Sequence, residues 1–306
     1  IGSLVKPAVY LAALESGYTL GSLLNDTPFK VKMPDGQMWI PKNFDKQSHG
    51  KVPLHWALSQ SYNLSTAQLG MQVGIGKVID MLERLGVTQE VKPYPSLMLG
   101  AESMSPYQVA MMYQTFAANG FKTPLRAIRS VTSADGGELS RYPLAVEQTV
   151  DPAHIHLIQY GLQEVMREGT ARHAYTRISP TINLAGKTGT SNDQRDSWFA
   201  GFAGNRLGVV WVGKDDNAQL PFTGSGGALR VWTDFMVREK PLSFEPVFPE
   251  NVEYIWTDSV TGLRSAEACA GARQLPYVAG TEPSEYIPCA QPNQIERARS
   301  WFKGWF

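Results

Sequence analysis

Three short groups of residues carry side chains suited to nucleophilic chemistry. Ser3 and Lys6 stand three residues apart near the start, one helical turn and on one face of the helix that follows. A serine at a helix N-terminus meets the positive end of the helix dipole and its free backbone N–H groups. A lysine amine beside it can take the hydroxyl proton, provided that desolvation keeps the amine neutral. The alternative is an N-capping serine with a solvated lysine, and S-x-x-K alone does not separate the two. The second group, Ser61-Tyr62-Asn63, interrupts an apolar helical run with small polar side chains. Buried, these need hydrogen-bond partners, and within a helix they tend to end or kink it. The third group, Lys187-Thr188-Gly189-Thr190, closes a β-forming stretch that begins at Leu184. Its lysine and threonines would face a substrate, with Gly189 letting the backbone come close. A surface strand that happens to carry a lysine would read the same way.

The elements that must position these groups follow from periodicity and punctuation. Ala8 to Glu15 has helical spacing and stops at Gly17, with Pro7 compatible with a first turn. From about Asn25 to Gly50 the chain is rich in Pro, Gly, Asp, Asn and Lys and reads as a long connection with little helix. Leu54, Ala57, Leu58, Leu64 and Leu69 resume a helical pattern around the Ser61–Asn63 break. Two more amphipathic helices lie between Gly74 and Gly120, and Ala127 to Tyr142 reads as a hairpin around Asp135-Gly136. Ala153 to Glu168 is helical. Ser197 to Gly201 and Leu207 to Val212 continue the Lys187 strand as antiparallel neighbours, and Ala228 to Val237 is a last helix. No internal repeat is present.

Composition narrows the classes of function. The chain has 306 residues, 43% of them hydrophobic, enough for one large domain and a smaller appendage. Basic and acidic residues number 28 each, which gives no support to a nucleic-acid partner. No apolar run approaches the ~18 residues of a membrane-spanning helix. The histidines make no H-E-x-x-H pattern, and Cys269 and Cys289 have no His at useful spacing, so no metal site is expected. The cysteines are either a disulfide in an oxidising compartment or free thiols. An aromatic cluster, Trp301 to Phe306, ends the chain as a packing patch or a membrane-interface contact.

In chain order the groups read S-x-x-K, S-x-N and K-T-G-T, the trio known from penicillin-binding proteins and class A β-lactamases. The sequence resembles the transpeptidase domain of class A, bifunctional penicillin-binding proteins, with a pattern nearest the penicillin-binding protein 1b subgroup. The resemblance covers nearly the whole chain. It includes Trp39-Ile40-Pro41-Lys42-Asn43 with Gly50, Ala57 to Asn63, Leu99-Gly100-Ala101, Ser105-Pro106, Phe116 to Gly120, and Asp196 to Gly201.

The resemblance implies an α/β fold: a mainly antiparallel sheet flanked by helices, with a helical subdomain inserted between Lys6 and the K-T-G-T strand. It implies that Ser3 is the nucleophile on the carbonyl between two terminal D-alanines of a peptidoglycan pentapeptide stem. Lys6 takes the proton, Ser61 relays it to the leaving amine, and Asn63 holds the substrate's amide. Lys187 supplies positive charge near the terminal carboxylate, with Thr188 and Thr190 as hydroxyl donors. Backbone N–H groups of Ser3 and Thr190 form the oxyanion hole. An amine of a neighbouring stem then resolves the acyl-enzyme, and β-lactams trap Ser3. No cofactor is implied. The expected setting is the periplasmic face of the bacterial inner membrane, with the membrane anchor outside this chain and Cys269 paired with Cys289.

Other uses of the same site stay open: a β-lactamase or D,D-carboxypeptidase, or a non-catalytic β-lactam-binding sensor or scaffold. Against a class A β-lactamase, Glu83, Glu90 and Glu102 all lack an Asn four residues on. The chain departs from the family at Ile1, where many members have Pro, and at Val5, where many have Phe. A composition shift after about Lys240 divides a transpeptidase domain, 1–240, from a C-terminal extension, 241–306, that carries both cysteines. The family's sheet includes strands ahead of the first motif, and a glycosyltransferase domain precedes those. Both are expected in a preceding segment, without which 1–306 would not be a self-sufficient folding unit.

Overall fold

The helix that carries Lys6 is apolar on all sides, and such a helix belongs in the middle of a core. In the computed structural model, which describes residues 1–33 and 36–289, this helix, α1 (Lys6–Glu15), is buried at every residue from Lys6 to Leu14. It starts two residues earlier than the periodicity predicts, directly after a 3-10 turn over Gly2–Val5. Ser3 therefore sits in a tighter turn than an α-helix provides, and Pro7 occupies the first α-turn, where its missing N–H costs nothing. The Trp301–Phe306 cluster lies outside the described residues.

The polar stretch after α1 is not bare connection. It contains β1 (Leu23–Asp26), β2 (Val31–Lys32), β3 (Met38–Trp39) and β4 (Gly50–Pro53), with β1 pairing β4 and β2 pairing β3, both antiparallel. Its composition hides the strands because only Leu24 and Asp26 of β1 point inward. Beyond it, α2 (Leu54–Gln60) and α3 (Asn63–Val73) are separated at Ser61, whose left-handed backbone (φ 60°, ψ 39°) ends the first helix. Next come α4 (Ile75–Arg84) and α5 (Pro106–Ala117), the latter opened by a capping box of Ser105 and Gln108. These helices are the inserted helical part.

Short pairings follow: β5 (Phe121–Lys122) with β8 (Glu147–Gln148), enclosing the expected hairpin of β6 (Ser130–Thr132) and β7 (Glu138–Arg141). The long α6 (Pro152–Arg167) leads back to a three-stranded antiparallel sheet of β9 (Ala185–Thr190), β10 (Ser197–Phe202) and β11 (Leu207–Val212), in the order β11-β10-β9. The central strand β10 is buried at every position because both faces are covered. Trp198, Ala200 and Phe202 join the core around α1, whereas Phe199 packs on Trp232 of α7 (Ala228–Glu239) with ring centroids 4.9 Å apart. That is the period-two alternation of a strand buried on both sides.

After Lys240 the chain forms an antiparallel pair, β12 (Val252–Asp258) and β13 (Ala272–Val278), which rests on α6. Val252, Leu275 and Tyr277 are part of the main core, and Arg273 holds Glu164 and Glu168 of the α6 end. The Cys269 and Cys289 sulfurs are bonded at 2.05 Å across a separation of 20 residues. Among the described residues no helix is long and apolar enough to cross a membrane.

Candidate active site

The three groups singled out by their chemistry meet in one cavity of about 200 Å³, lined by Ser3, Ser61, Asn63, Thr188 and Thr190 among others. Each comes from a different layer: the start of α1, the α2–α3 break and the β9 edge. Ser3 is half-buried, and its side chain neither caps the turn nor bonds Lys6 among the described residues. The N-cap alternative is therefore not what the structure contains.

Lys6 instead turns to the α2–α3 break. Its Nζ donates to Ser61 O at 2.6 Å, Asn63 Oδ1 at 2.7 Å and Tyr62 O at 3.1 Å, and lies 3.3 Å from Ser61 Oγ. The left-handed Ser61 makes this possible, because it aims successive carbonyls at one point. Lys187 Nζ reaches the same hydroxyl from β9, 2.8 Å from Ser61 Oγ, and donates to Thr188 O at 3.1 Å. Ser61 Oγ thus bridges two amines, both fully buried.

Burial pushes the Lys6 amine well below its ordinary range, and the neighbouring Lys187 pushes it further down, while Asp26 pulls the other way. Burial alone brings Lys187 down to about 7. Both amines therefore give up a proton more readily than a free lysine, and the pair plus one hydroxyl is a short proton path.

The register of β9 explains how its backbone serves the cavity. Ser191 N–H bonds Asp196 O at 3.2 Å, so the adjacent pair Thr190–Ser197 falls on the unbonded step of the ladder. Thr190 therefore turns its N–H away from β10, on the open edge of the sheet. The start of α1 runs along that edge. Gly2 (φ +54°) lies against Thr190 O and Gly100 (φ +78°) against Gly2 O, so closely that a Cβ on either would run into a carbonyl. The threonine hydroxyls tie the edge to its surroundings: Thr190 Oγ1 accepts from Gly224 N–H at 3.0 Å, and Thr188 Oγ1 meets Thr170 Oγ1 at 2.6 Å.

Behind the cavity lies a support that sequence reasoning missed. Asp26, fully buried, accepts from Ser65 N–H at 2.9 Å, Asn43 Nδ2 at 2.6 Å and His49 N–H at 3.1 Å, with His49 Nδ1 at 2.7 Å. Asn43 Oδ1 in turn accepts from Asn63 N–H at 2.6 Å and Leu64 N–H at 3.1 Å, the otherwise unsatisfied donors at the start of α3. Asn63 Nδ2 donates to Lys42 O at 2.7 Å, which leaves its oxygen for Lys6. Asn43 falls in a stretch that the family resemblance picks out, and that was the only signal in the sequence.

The arrangement defines a class. A family profile described as "Penicillin binding protein transpeptidase domain" matches residues 1–228, and the chain belongs to that family. Its relatives include penicillin-binding protein 1B of Vibrio cholerae, 42% identical over 278 residues (90% of this chain, 35% of the relative). Penicillin-binding protein 1B of Escherichia coli is 36% identical over 299 residues (96% and 35%). The crystal structure of penicillin-binding protein 1A from Haemophilus influenzae superposes with a TM-score of 0.86 at 26% identity, covering 94% of this chain and 49% of that one. The chain thus spans about a third of the length of the curated relatives it matches.

Proposed function

We propose that this chain is a serine D,D-transpeptidase that cross-links peptidoglycan stem peptides through an acyl-enzyme and is trapped by β-lactams. The observation that carries the reading is Ser61 Oγ, held 2.8 Å from Lys187 Nζ and 3.3 Å from Lys6 Nζ in the cavity that also contains Ser3. In this reading Ser3 Oγ attacks the carbonyl between the terminal D-alanines and passes its proton to a neutral Lys6. The Ser3 and Thr190 N–H groups stabilise the oxyanion, a type of interaction worth roughly 3 kcal/mol per donor. Ser61 then delivers a proton to the departing D-alanine amine, while Lys187 and the Thr188 and Thr190 hydroxyls hold its carboxylate. Asn63 positions the substrate amide; the bare Cα of Gly189, expected to admit substrate, instead lets β9 pack against Ile1 O and Leu4.

Transfer is favoured over hydrolysis because, among the described residues, no Asp or Glu lines the cavity to activate water. We assign catalysis to residues 1–240 and treat 241–306 as a C-terminal extension. The partners are two stem peptides, a D-Ala-D-Ala donor and an amine acceptor. The setting is the periplasmic face of the inner membrane. Intact-mass analysis with a penicillin tests the reading: one covalent equivalent, slow to leave, mapping to Ser3. A label on another residue, or release within seconds, would sink it.

A further inference from the structure

At Thr170 the catalytic cavity opens into a larger one of about 810 Å³; the two share Thr170 and Ser225. Because Thr170 is bonded to Thr188, the second cleft begins at the Lys187–Thr188 end of the strand edge. Arg167, Arg172, His173 and Arg230 line it, and no carboxylate does among the described residues. In a chain with 28 basic and 28 acidic residues this is a local excess of cations. The nearby charges on α7 and α6 are matched elsewhere, Asp234 to Arg177 and Glu168 to Arg273. Arg167 bonds Asn183 and stands 5.9 Å over the Tyr175 ring. Arg172 and Arg230 are exposed, and neither has an ion-pair partner among the described residues.

The reaction proposed above has two halves with one geometry. In the first, an amine leaves the acyl carbon with its carboxylate at Lys187 and Thr188. In the second, an amine attacks that same carbon, and microscopic reversibility puts it where the leaving amine stood. The rest of the incoming peptide must then extend past Thr188, toward the arginines.

We propose that this cleft is the acceptor subsite, in which Arg172 and Arg230 hold the carboxylates of the second stem peptide. Guanidinium groups suit that task, since their planar fork pairs a carboxylate through two hydrogen bonds. The acceptor nitrogen forms its bond to the acyl carbon, the bond from that carbon to Ser3 Oγ breaks, and the proton lost by the amine returns to Ser3 Oγ through Lys6. The inference rests on the transpeptidase reading and goes beyond it by separating acceptor from donor.

The test measures how the acyl-enzyme divides between water and an amine. A stem pentapeptide ending in D-Ala-D-Ala serves as donor, and a second stem peptide, with its carboxylates free or amidated, as acceptor. Arg172→Glu/Arg230→Glu should lower the ratio of transfer to hydrolysis about tenfold, the scale of two exposed charge contacts. The deficit should shrink at high salt, and penicillin acylation should keep its rate. On the unsubstituted protein the amidated acceptor should lose a similar factor, a comparison that needs no variant to fold. An unchanged ratio, or an amidated acceptor as good as the free acid, overturns the proposal. An equal fall in penicillin acylation also overturns it, by assigning the arginines to the donor's carboxylate. If the unsubstituted protein takes up no penicillin, the transpeptidase reading itself has failed.

Discussion

Replacing Asp26 by Asn should damage the protein in two separable ways. The carboxylate accepts on both oxygens, from Ser65 N–H on one and from Asn43 Nδ2 and His49 N–H on the other. An amide keeps one acceptor. With its oxygen toward Ser65, its NH₂ faces the Asn43 NH₂; flipped, it faces the Ser65 N–H. At least one charge-assisted bond is lost and one donor is left against another donor, together costing about 2–4 kcal/mol in a fully buried site. The second effect is on Lys6, whose charged form Asp26 favours. Without that charge the amine falls further, and its neutral, proton-accepting form persists to lower pH. Urea unfolding reads the first effect. The pH dependence of penicillin acylation reads the second, as a shift of its acid limb to lower pH. A variant as stable as the parent would refute the account of the buried network. An acid limb that stayed in place or moved up would refute the link to Lys6, whatever the stability.

Other expectations follow from single side chains. The folded Lys187 has a pKa of about 7 against 10.5 for a free lysine, so between those values the unfolded chain binds a proton that the native state lacks. Stability should therefore rise with pH in that window, by up to about 1.4 kcal/mol per pH unit from this group, and Lys187→Met should flatten the rise in pH-dependent unfolding. The same variant should also slow acylation by carboxylate-bearing β-lactams. Acylation at the parental rate would make the lysine structural. Glu164→Ala strips both His55 Nδ1, 2.8 Å away, and Arg273 of a buried partner, and should cost about 3 kcal/mol in thermal or urea unfolding. Reducing the Cys269–Cys289 bond should destabilise the C-terminal segment by roughly 3 kcal/mol, since it closes a loop of 20 residues. Two thiols counted on the denatured, unreduced protein would reject the pairing.

The motif residues were legible because their chemistry is local: a serine and lysine a helical turn apart, a helix broken by Ser and Asn, a strand ending in Lys-Thr-Gly-Thr. What they bond was not. Lys6 looks like a partner for Ser3 by spacing, yet the left-handed turn at Ser61 offers it three nearer acceptors. Asp26 and His49 were invisible because a polar stretch reads as solvated loop, and nothing in the residue order says that its carboxylate is buried. The arginine cleft escaped for a related reason: Arg167, Arg172 and Arg230 come from separate elements and disappear into a net charge of zero. The composition shift after Lys240 is real, but it did not reveal that Leu275 and Tyr277 complete the main core.

The seam where Gly100 meets Gly2 and Gly2 meets Thr190 joins main chain to main chain, with no side chain between the layers. Its width is consequently a gauge without an adjustable part. Side-chain walls tune a pocket by changing rotamer, but here a larger opening would require the whole start of α1 to slide, and α1 is the buried axis of the molecule. Ligands are thus sorted in two ways. At the end proposed to hold the oxyanion the fit would be nearly binary: an oxygen either enters or finds no room. Graded preferences among ligands must then be expressed by the side chains that line the rest of the cavity, among them Phe44 and Gln60.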